Sequence, residues 1–495
     1  MSRVIAAIRD HAIATPRATA LAGLSSSISY AALYALVSGL GKRLRAIAPR
    51  VVALQAENGP DWALADLAAL STDICCVPLP TFFSAGQCAH VLASAGVDLL
   101  LTDRPDAADL YGASSVERFH GSLHAVRLPT PEVPLPPGTR KITFTSGTTG
   151  QPKGVCLSTA AIEAVVTSLC DASRADATDR HLSLLPLSTL LENIAGLYVP
   201  LMAGARTHLL PGANVGLKGS SSVDPLTMIA ALDSVEATTS VLVPQLLHGL
   251  VGAFAAGCAR PAQLRYIAVG GATVSPRLLR MAADFGLPVF EGYGLSECAS
   301  VVAVNRPGDN AAGTVGQVLP HIEVDIGHDS DIRVRGAGFL GYLGDAPRAP
   351  DAWVDTGDLG ELDEAGHLRI TGRRKNIFIT AFGRNVAPEW LERELTLQPE
   401  IAQAAVFGEG RQYNLAVIWP RNGVSDEAVR LAIATANLDL PDYAQVTAWL
   451  RADAPFSPAN GQLTTNGRPR REAIASTYAG RIESHYQEEA YGLLY

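Results

Sequence analysis

Residues 144–155 read Phe-Thr-Ser-Gly-Thr-Thr-Gly-Gln-Pro-Lys-Gly-Val. Positions 145–154 include four hydroxyls (Thr145, Ser146, Thr148, Thr149), three glycines (Gly147, Gly150, Gly154) and one lysine, Lys153. Glycine lets backbone N–H groups come close to an anion. Hydroxyls donate to phosphate oxygens or ligate a hard cation such as magnesium. Lysine adds a compact positive charge. Apolar, β-prone stubs flank the segment: Ile142-Thr143-Phe144 before it, Val155-Cys156-Leu157 after it. The stretch therefore reads as a polyphosphate cradle between two strands. An ordinary Ser/Thr/Gly surface turn is the plain alternative, and the length and flanks of the segment count against it. The spacing is not Gly-Lys-Ser/Thr opening a helix. Gly154 and a strand follow Lys153, so the cradle belongs to a different nucleotide-binding architecture.

The chain has 495 residues, too many for one compact core, so two or more domains are expected. A hydrophobic fraction of 48% suits a well-buried α/β protein. The formal net charge of −9 argues against nucleic-acid binding through a basic surface. Residues 1–15 are broken by Arg3, Arg9, Asp10 and His11, which does not fit a secretory signal. No long uncharged apolar run marks a membrane span. Cys75, Cys76, Cys88, Cys156, Cys170, Cys258 and Cys298 are scattered, with no Cys-x-x-Cys spacing. They read as reduced thiols packed as small core residues, and the expected compartment is the cytoplasm.

Along the chain, strand and helix signals alternate. Residues 28–30, 51–55, 74–77 and 97–102 read as strands, and 31–47 as an amphipathic helix. Residues 129–138 form a proline-rich loop. Further strands are expected at 181–185, 206–210, 240–243, 266–270 and 289–290, each followed by a helical or glycine-rich stretch. That order requires a mostly parallel sheet with helical crossovers. Residues 211–222 read as a mobile surface loop, and 331–334 with 368–371 as strands of a smaller sheet. Residues 377–495 read as a separate small α/β unit, with a helix over 388–397 and strands at 404–407 and 415–419.

Three later segments complete the pattern: Glu291-Gly292-Tyr293-Gly294-Leu295-Ser296-Glu297, Asp355-Thr356-Gly357-Asp358 and Gly372-Arg373-Arg374-Lys375-Asn376-Ile377-Phe378-Ile379. With the cradle, and in this order, they resemble the motifs of the adenylate-forming (AMP-binding) enzymes. The resemblance extends from about residue 16 to about residue 474. It implies the acyl-adenylate synthetase fold: a large N-terminal domain (1–371), a hinge (372–376) and a smaller, mobile C-terminal lid domain (377–495). It implies ATP held by Thr145, Ser146, Gly147, Thr148, Thr149, Gly150 and Lys153. Magnesium would sit on Thr145 and Glu297. Adenine would lie against Tyr293, flanked by Glu291, Gly292 and Gly294, with Gly271 and Ala272 as the opposite wall. Ser296 would donate to the α-phosphate, Asp358 and Arg373 would hold the ribose, and Lys375 would be the pivot.

Two departures bear on chemistry. The segment 463–471, Leu-Thr-Thr-Asn-Gly-Arg-Pro-Arg-Arg, resembles the family's catalytic-lysine loop, with Arg468 where lysine is usual. Arginine keeps the charge but is longer, planar and forked, so slow or altered adenylation is expected. Thr159 and Thr189 stand where histidines are usual, which leaves the acceptor open. The region 185–192 lacks the Phe-Asp pair by which amino-acid-activating relatives hold an α-amino group. Leu190, Leu191, Ile194, Ala195, Val243, Leu246 and Cys298 are expected to line an apolar acid pocket. The tail 456–464 looks most like long-chain fatty acyl-CoA synthetases. The implied reaction is ATP-dependent activation of an apolar carboxylic acid, followed by transfer to coenzyme A. Transfer to the phosphopantetheine of an acyl carrier protein stands as the alternative within the enzyme class. A weakly active nucleotide- or acyl-binding module stands outside it.

Overall fold

The computed structural model describes residues 2–492 apart from 105, 107, 108, 110, 114, 147–151, 219–221, 273, 337, 350, 375, 381–384, 439 and 465–466. Two large sheets carry the first part of the chain. In the eight-stranded sheet, Val51–Gln55 lies between Cys75–Pro78 and Leu99–Thr102, all parallel. Val-Val-Ala-Leu-Gln is buried at every position, as a strand covered on both faces requires. Next to Cys75–Pro78 runs Lys141–Ser146, which turns back as Pro152–Leu157, so Thr145 pairs with Lys153 across an antiparallel hairpin. The segment thus joins two strands as its flanks imply, but the strands run further into it, through Ser146 and from Pro152. Phe339–Tyr342 closes that edge against Pro152–Leu157.

The nine-stranded sheet has a parallel centre: Val289–Tyr293, Tyr266–Val269, Thr239–Leu242, Arg180–Leu182, Arg206–His208 and Thr19–Ala22. Helices between the strands begin on side-chain caps. Ser158 accepts from the Ala161 amide, Asp224 from Leu226 and Thr227, and Ser275 from Arg277. Each satisfies an amide that the first helical turn leaves unpaired. A four-stranded antiparallel sheet (Glu323–Ile326, Asp331–Arg335, Val354–Leu362, Leu368–Arg373) carries the Asp355–Asp358 segment.

From Phe378 onward the chain buries clusters of its own. Strands Ile401–Phe407, Asn414–Pro420 and Val446–Arg451 pack with helices Pro388–Thr396, Asp426–Asn437 and Arg471–Gly492. Leu397 packs instead against the core of the nine-stranded sheet. Two sequence expectations change. Residues 211–222 are not one open loop: a turn at Gly212–Val215 leads to the hairpin Leu217–Lys218 with Ser222–Val223. Tyr30 is not in the strand, which is Ser27–Ser29; it opens the helix Tyr30–Ile47 and is fully buried, because Ser29 caps that helix. All seven cysteines are free thiols, five of them buried.

One buried cluster ties the halves of this region together. Lys141 Nζ donates to Asp66 Oδ1 at 2.8 Å and to Tyr198 OH at 2.8 Å, and it also bonds Asn193. Tyr198 and Asn193 donate in turn to the other oxygen of Asp66. Asn193 and Tyr198 lie on a π-helical turn, Asn193–Tyr198.

Candidate active site

A cavity of about 1640 Å³ opens between the C-terminal ends of the parallel strands and the C-terminal unit. That volume exceeds a single drug-sized ligand site, so two substrates fit. Its walls include Thr145, Gly271, Ala272, Glu291, Gly292, Tyr293, Gly294, Ser296, Glu297, Asp358, Arg373 and Arg468. Residues roughly 320 positions apart in sequence are therefore brought to one space. Gly147, Thr148, Thr149, Gly150 and Lys375 lie outside the described residues, and so does the side chain of Ser146. Lys153 is exposed, with its ammonium 5.6 Å from the centre of the Tyr342 ring.

The Asp358 carboxylate is buried and doubly held. Arg373 Nε donates to Oδ1 at 2.7 Å, and Tyr293 OH donates to Oδ2 at 2.6 Å. The side chain of Thr356 bonds the Asp358 amide, fixing the turn. Burial, and then the Asp358 charge, push the Tyr293 hydroxyl far above its ordinary range, so it stays a donor. Each Asp358 oxygen keeps a lone pair for a diol. Gly294 is required by packing, since a Cβ there would stand 1.7 Å from the Ser300 carbonyl oxygen.

Glu297 follows on a short turn, Ser296–Cys298, and Tyr342 OH donates to its Oε1 at 2.7 Å. The sequence reading missed Tyr342. Its position depends on the register of Phe339–Tyr342 against Val155 and Leu157, a contact spanning more than 180 residues that no local pattern encodes. The Thr145 hydroxyl and the second Glu297 oxygen are hard donors of the kind magnesium takes together with phosphate oxygens and water. No cluster of three or more His, Cys, Asp or Glu exists among the described residues, and a phosphate-bound magnesium needs none.

Arg468 stands in a tight turn: the Thr464 amide donates to the Arg468 carbonyl at 2.8 Å, and the Arg468 amide to Thr464 Oγ1 at 3.0 Å. Its guanidinium donates to the carbonyl oxygen of Gly271. The cleft lowers the guanidinium pKa, first by desolvation and then by the charge of Arg373, with Asp358 and Glu389 opposing. The loop at the C-terminus of the chain thus reaches the wall of the cavity.

Below Gly270, the cavity runs along the sheet. Val243, Val241 and Ala268 line it, with Leu190, Leu191, Ala195 and Leu246 facing them. From Gly270 to Tyr266 is four strand residues, about 13 Å. Ile194 and Cys298, expected in this lining, are instead fully buried in the core, because the π-helical turn and the turn at 296–298 aim them away. At the deep end, His181 Nδ1 meets Thr239 Oγ1 at 3.0 Å, and its Nε2 meets Glu192 Oε1 at 3.1 Å. A Cβ at Gly196 would lie 1.9 Å from Glu192 Oε1, so any larger residue there would displace the Glu192 carboxylate from His181. Thr189, which also lines the cavity, bonds the Pro186 carbonyl at 2.7 Å.

Residues 8–343 match the AMP-binding enzyme family, and residues 375–490 match the AMP-binding enzyme C-terminal domain. This chain belongs to the AMP-binding enzyme family. Among curated relatives, it is 34% identical over 249 residues to the long-chain-fatty-acid–CoA ligase FadD15 of Mycobacterium bovis, covering 44% of this chain and 42% of that ligase. It is 31% identical over 444 residues to the indoleacetate–CoA ligase of Aromatoleum aromaticum, covering 81% and 84%. Solved structures share the fold. The anthranilate CoA ligase AuaEII bound to anthranoyl-AMP superposes with a TM-score of 0.79 at 16% identity, over 96% of this chain and 97% of that one. The O-succinylbenzoate CoA synthetase of Bacillus subtilis bound to AMP gives 0.73 at 22% identity, over 95% and 98%. The two-part architecture expected from the motifs is therefore the fold of this family member. No helix among the described residues is long and apolar enough to cross a membrane.

Proposed function

We propose that this AMP-binding enzyme activates an apolar, long-chain carboxylic acid with ATP and passes the acyl group to coenzyme A. One observation carries the reading. The cavity lined by Asp358, Tyr293, Arg373, Thr145 and Glu297 is also lined by the apolar side chains of Leu190, Leu191, Ala195, Val241, Val243 and Leu246. A nucleotide site sharing one cavity with an apolar acid site suits in-line attack at the α-phosphate.

In this reading, the Asp358 carboxylate accepts the ribose hydroxyls while Arg373 and Tyr293 hold it in place. Tyr293 presents its ring to adenine, with Gly292 and Gly294 permitting close approach. Glu291, Gly271 and Ala272 wall the nucleotide, and Ser296 donates to the α-phosphate. The segment 145–154 cradles the β- and γ-phosphates. Magnesium held by Thr145 and Glu297 would neutralise phosphate charge. The carboxylate oxygen of the acid attacks the α-phosphorus, the bond to pyrophosphate breaks, and acyl-AMP forms. The thiol of coenzyme A then attacks the acyl carbon, loses its proton to solvent and expels AMP. Arg468, at Gly271, supplies positive charge where carboxylate and α-phosphate meet. Residues 1–371 form the nucleotide-binding domain, 377–495 the lid, and 372–376, with Lys375, the pivot between them. The compartment is the cytoplasm.

The test is pyrophosphate release measured with acids of increasing chain length, with and without coenzyme A. Release that rises with chain length and yields acyl-CoA supports the proposal. Acyl transfer to a phosphopantetheine-bearing carrier protein alone replaces the acceptor. No release with any acid overturns the proposal.

A further inference from the structure

The helix Pro388–Thr396 of the C-terminal unit presents charged groups in two directions. Glu389 and Glu392 face Arg471, which opens the final helix three residues after Arg468. Arg471 Nη1 lies 3.0 Å from Glu389 Oε1, and its Nε lies 3.0 Å from Glu392 Oε1. Arg471 Nη2 lies 2.5 Å from Glu392 Oε2, and the Val406 amide donates to Oε1 of the same carboxylate at 2.8 Å. The loop that carries Arg468 is therefore clamped to this helix.

The other direction points across the domain boundary. Glu394 is buried, and its Oε1 accepts from Ser275 Oγ at 3.1 Å. Ser275 caps the helix Pro276–Asp284 and lies four residues after Gly271, whose carbonyl takes the Arg468 guanidinium. Arg393 Nε is 3.6 Å from Glu394 Oε1, with only 18% of its side chain exposed, and that nitrogen has no hydrogen-bond partner. On the strand Val289–Tyr293, Glu291 lines the same cavity as Arg393, is also buried and accepts from the Val274 amide at 3.2 Å. Burial pushes the Glu291 carboxyl up to about 7, while the Val274 amide and the Arg393 charge pull it down. Desolvation lowers the Arg393 pKa, and Glu394 and Glu291 oppose that. A cation so enclosed is tolerated only with anionic partners beside it. Glu394 is such a partner, and it is bonded to the large domain through Ser275.

We propose that Arg393 is a positioning residue that, set against Glu394 and backed by the Ser275–Glu394 bond, docks the C-terminal unit so that Arg468 meets Gly271. It touches no substrate. It acts through the helix Pro388–Thr396, the Arg471 clamp and the Arg468 loop. The catalytic part of this inference rests on the proposed acid activation; the docking part does not.

Two measurements test it. The first is a double-mutant cycle on acid-dependent pyrophosphate release, with Arg393→Met and Arg468→Ala. If Arg393 works through Arg468, R393M slows the wild-type enzyme roughly tenfold or more and slows R468A no further. Arg393→Lys, which keeps the charge, restores part of the loss and stands in for R393M if that variant folds poorly. Losses that multiply in the double variant, or no loss in R393M, overturn the inference. The second is small-angle scattering of the full chain, which needs no activity. R393M and Glu394→Gln should each enlarge the radius of gyration with the melting temperature of the large domain unchanged. An unchanged radius in both overturns the docking role. An inactive wild type with this scattering response would refute the proposed reaction and leave the docking role standing.

Discussion

Replacing Asp358 by asparagine changes a single heavy atom in the proposed nucleotide site, and the structure sets the size of the effect. Asp358 Oδ1 takes Arg373 Nε at 2.7 Å and Oδ2 takes the Tyr293 hydroxyl at 2.6 Å. In the Asp358→Asn enzyme, one oxygen becomes an NH2 group. The oxygen that remains pairs with Arg373, and Tyr293 must turn its hydroxyl round to accept. The ribose then meets one acceptor, uncharged, in place of two. A hydrogen bond to a charged group contributes about 1.5–3 kcal/mol, so KM for ATP should rise about 10- to 100-fold. Asp358→Ala removes both acceptors and should raise it about 100- to 10,000-fold on the same arithmetic. Tyr293→Phe keeps the ring and loses only the supporting donor, so its effect should be smaller than either. The assay is acid-dependent pyrophosphate release at varied ATP, with KM for the acid measured alongside and folding followed by thermal melting. Asp358→Asn with an unchanged KM for ATP, or one that alters KM for the acid instead, would refute the ribose assignment.

Arg468→Ala should reduce the rate of pyrophosphate release by about 100- to 1000-fold, as expected for removing a charge aimed at the reacting centre, with KM for ATP shifting only a few-fold; steady-state kinetics checks both. Lys141→Met leaves Asp66 buried without its cation and should cost about 3–5 kcal/mol in denaturant unfolding. His208 is buried with Nε2 unbonded, and burial, with Arg206 and His181 nearby, lowers its pKa from 6.5 to about 4. The unfolded chain takes up that proton first, so the stability His208 contributes is complete above pH 6.5 and drains away as pH falls toward 4. Wild type should lose about 1–2 kcal/mol more than His208→Gln between pH 7 and pH 5, measured by unfolding at each pH.

Much of the architecture is legible in residue order because the signals are local. Continuous apolar runs such as residues 51–55 mark strands covered on both faces, and the β-prone flanks of residues 145–154 mark the hairpin that carries them. Asp358, Arg373, Tyr293 and Glu297, each in a short motif, fall into one cavity: Tyr293 and Arg373 end their strands, Asp358 pairs with Arg373, and Glu297 lies on the turn after Tyr293. What the sequence hides is register and reach. Tyr342 meets Glu297 only because Phe339–Tyr342 closes the edge of a sheet begun nearly 300 residues earlier. Arg393, Glu394 and Ser275 look like ordinary helix and cap residues until two domains are pressed together. Ile194 and Cys298 are apolar and near the site in sequence, yet a π-helical turn and a tight turn bury them elsewhere. The hairpin within 211–222 has too few residues per strand to register as a pattern.

The central claim is that one cavity joins a nucleotide site to an apolar acid site. It is tested most directly by product analysis of a single reaction mixture containing the protein, magnesium–ATP, coenzyme A and a saturated fatty acid of about ten to twelve carbons. The account predicts acyl-CoA, AMP and pyrophosphate in equal amounts, each dependent on the acid. ADP and phosphate in their place, or AMP formed at the same rate without the acid, would contradict it.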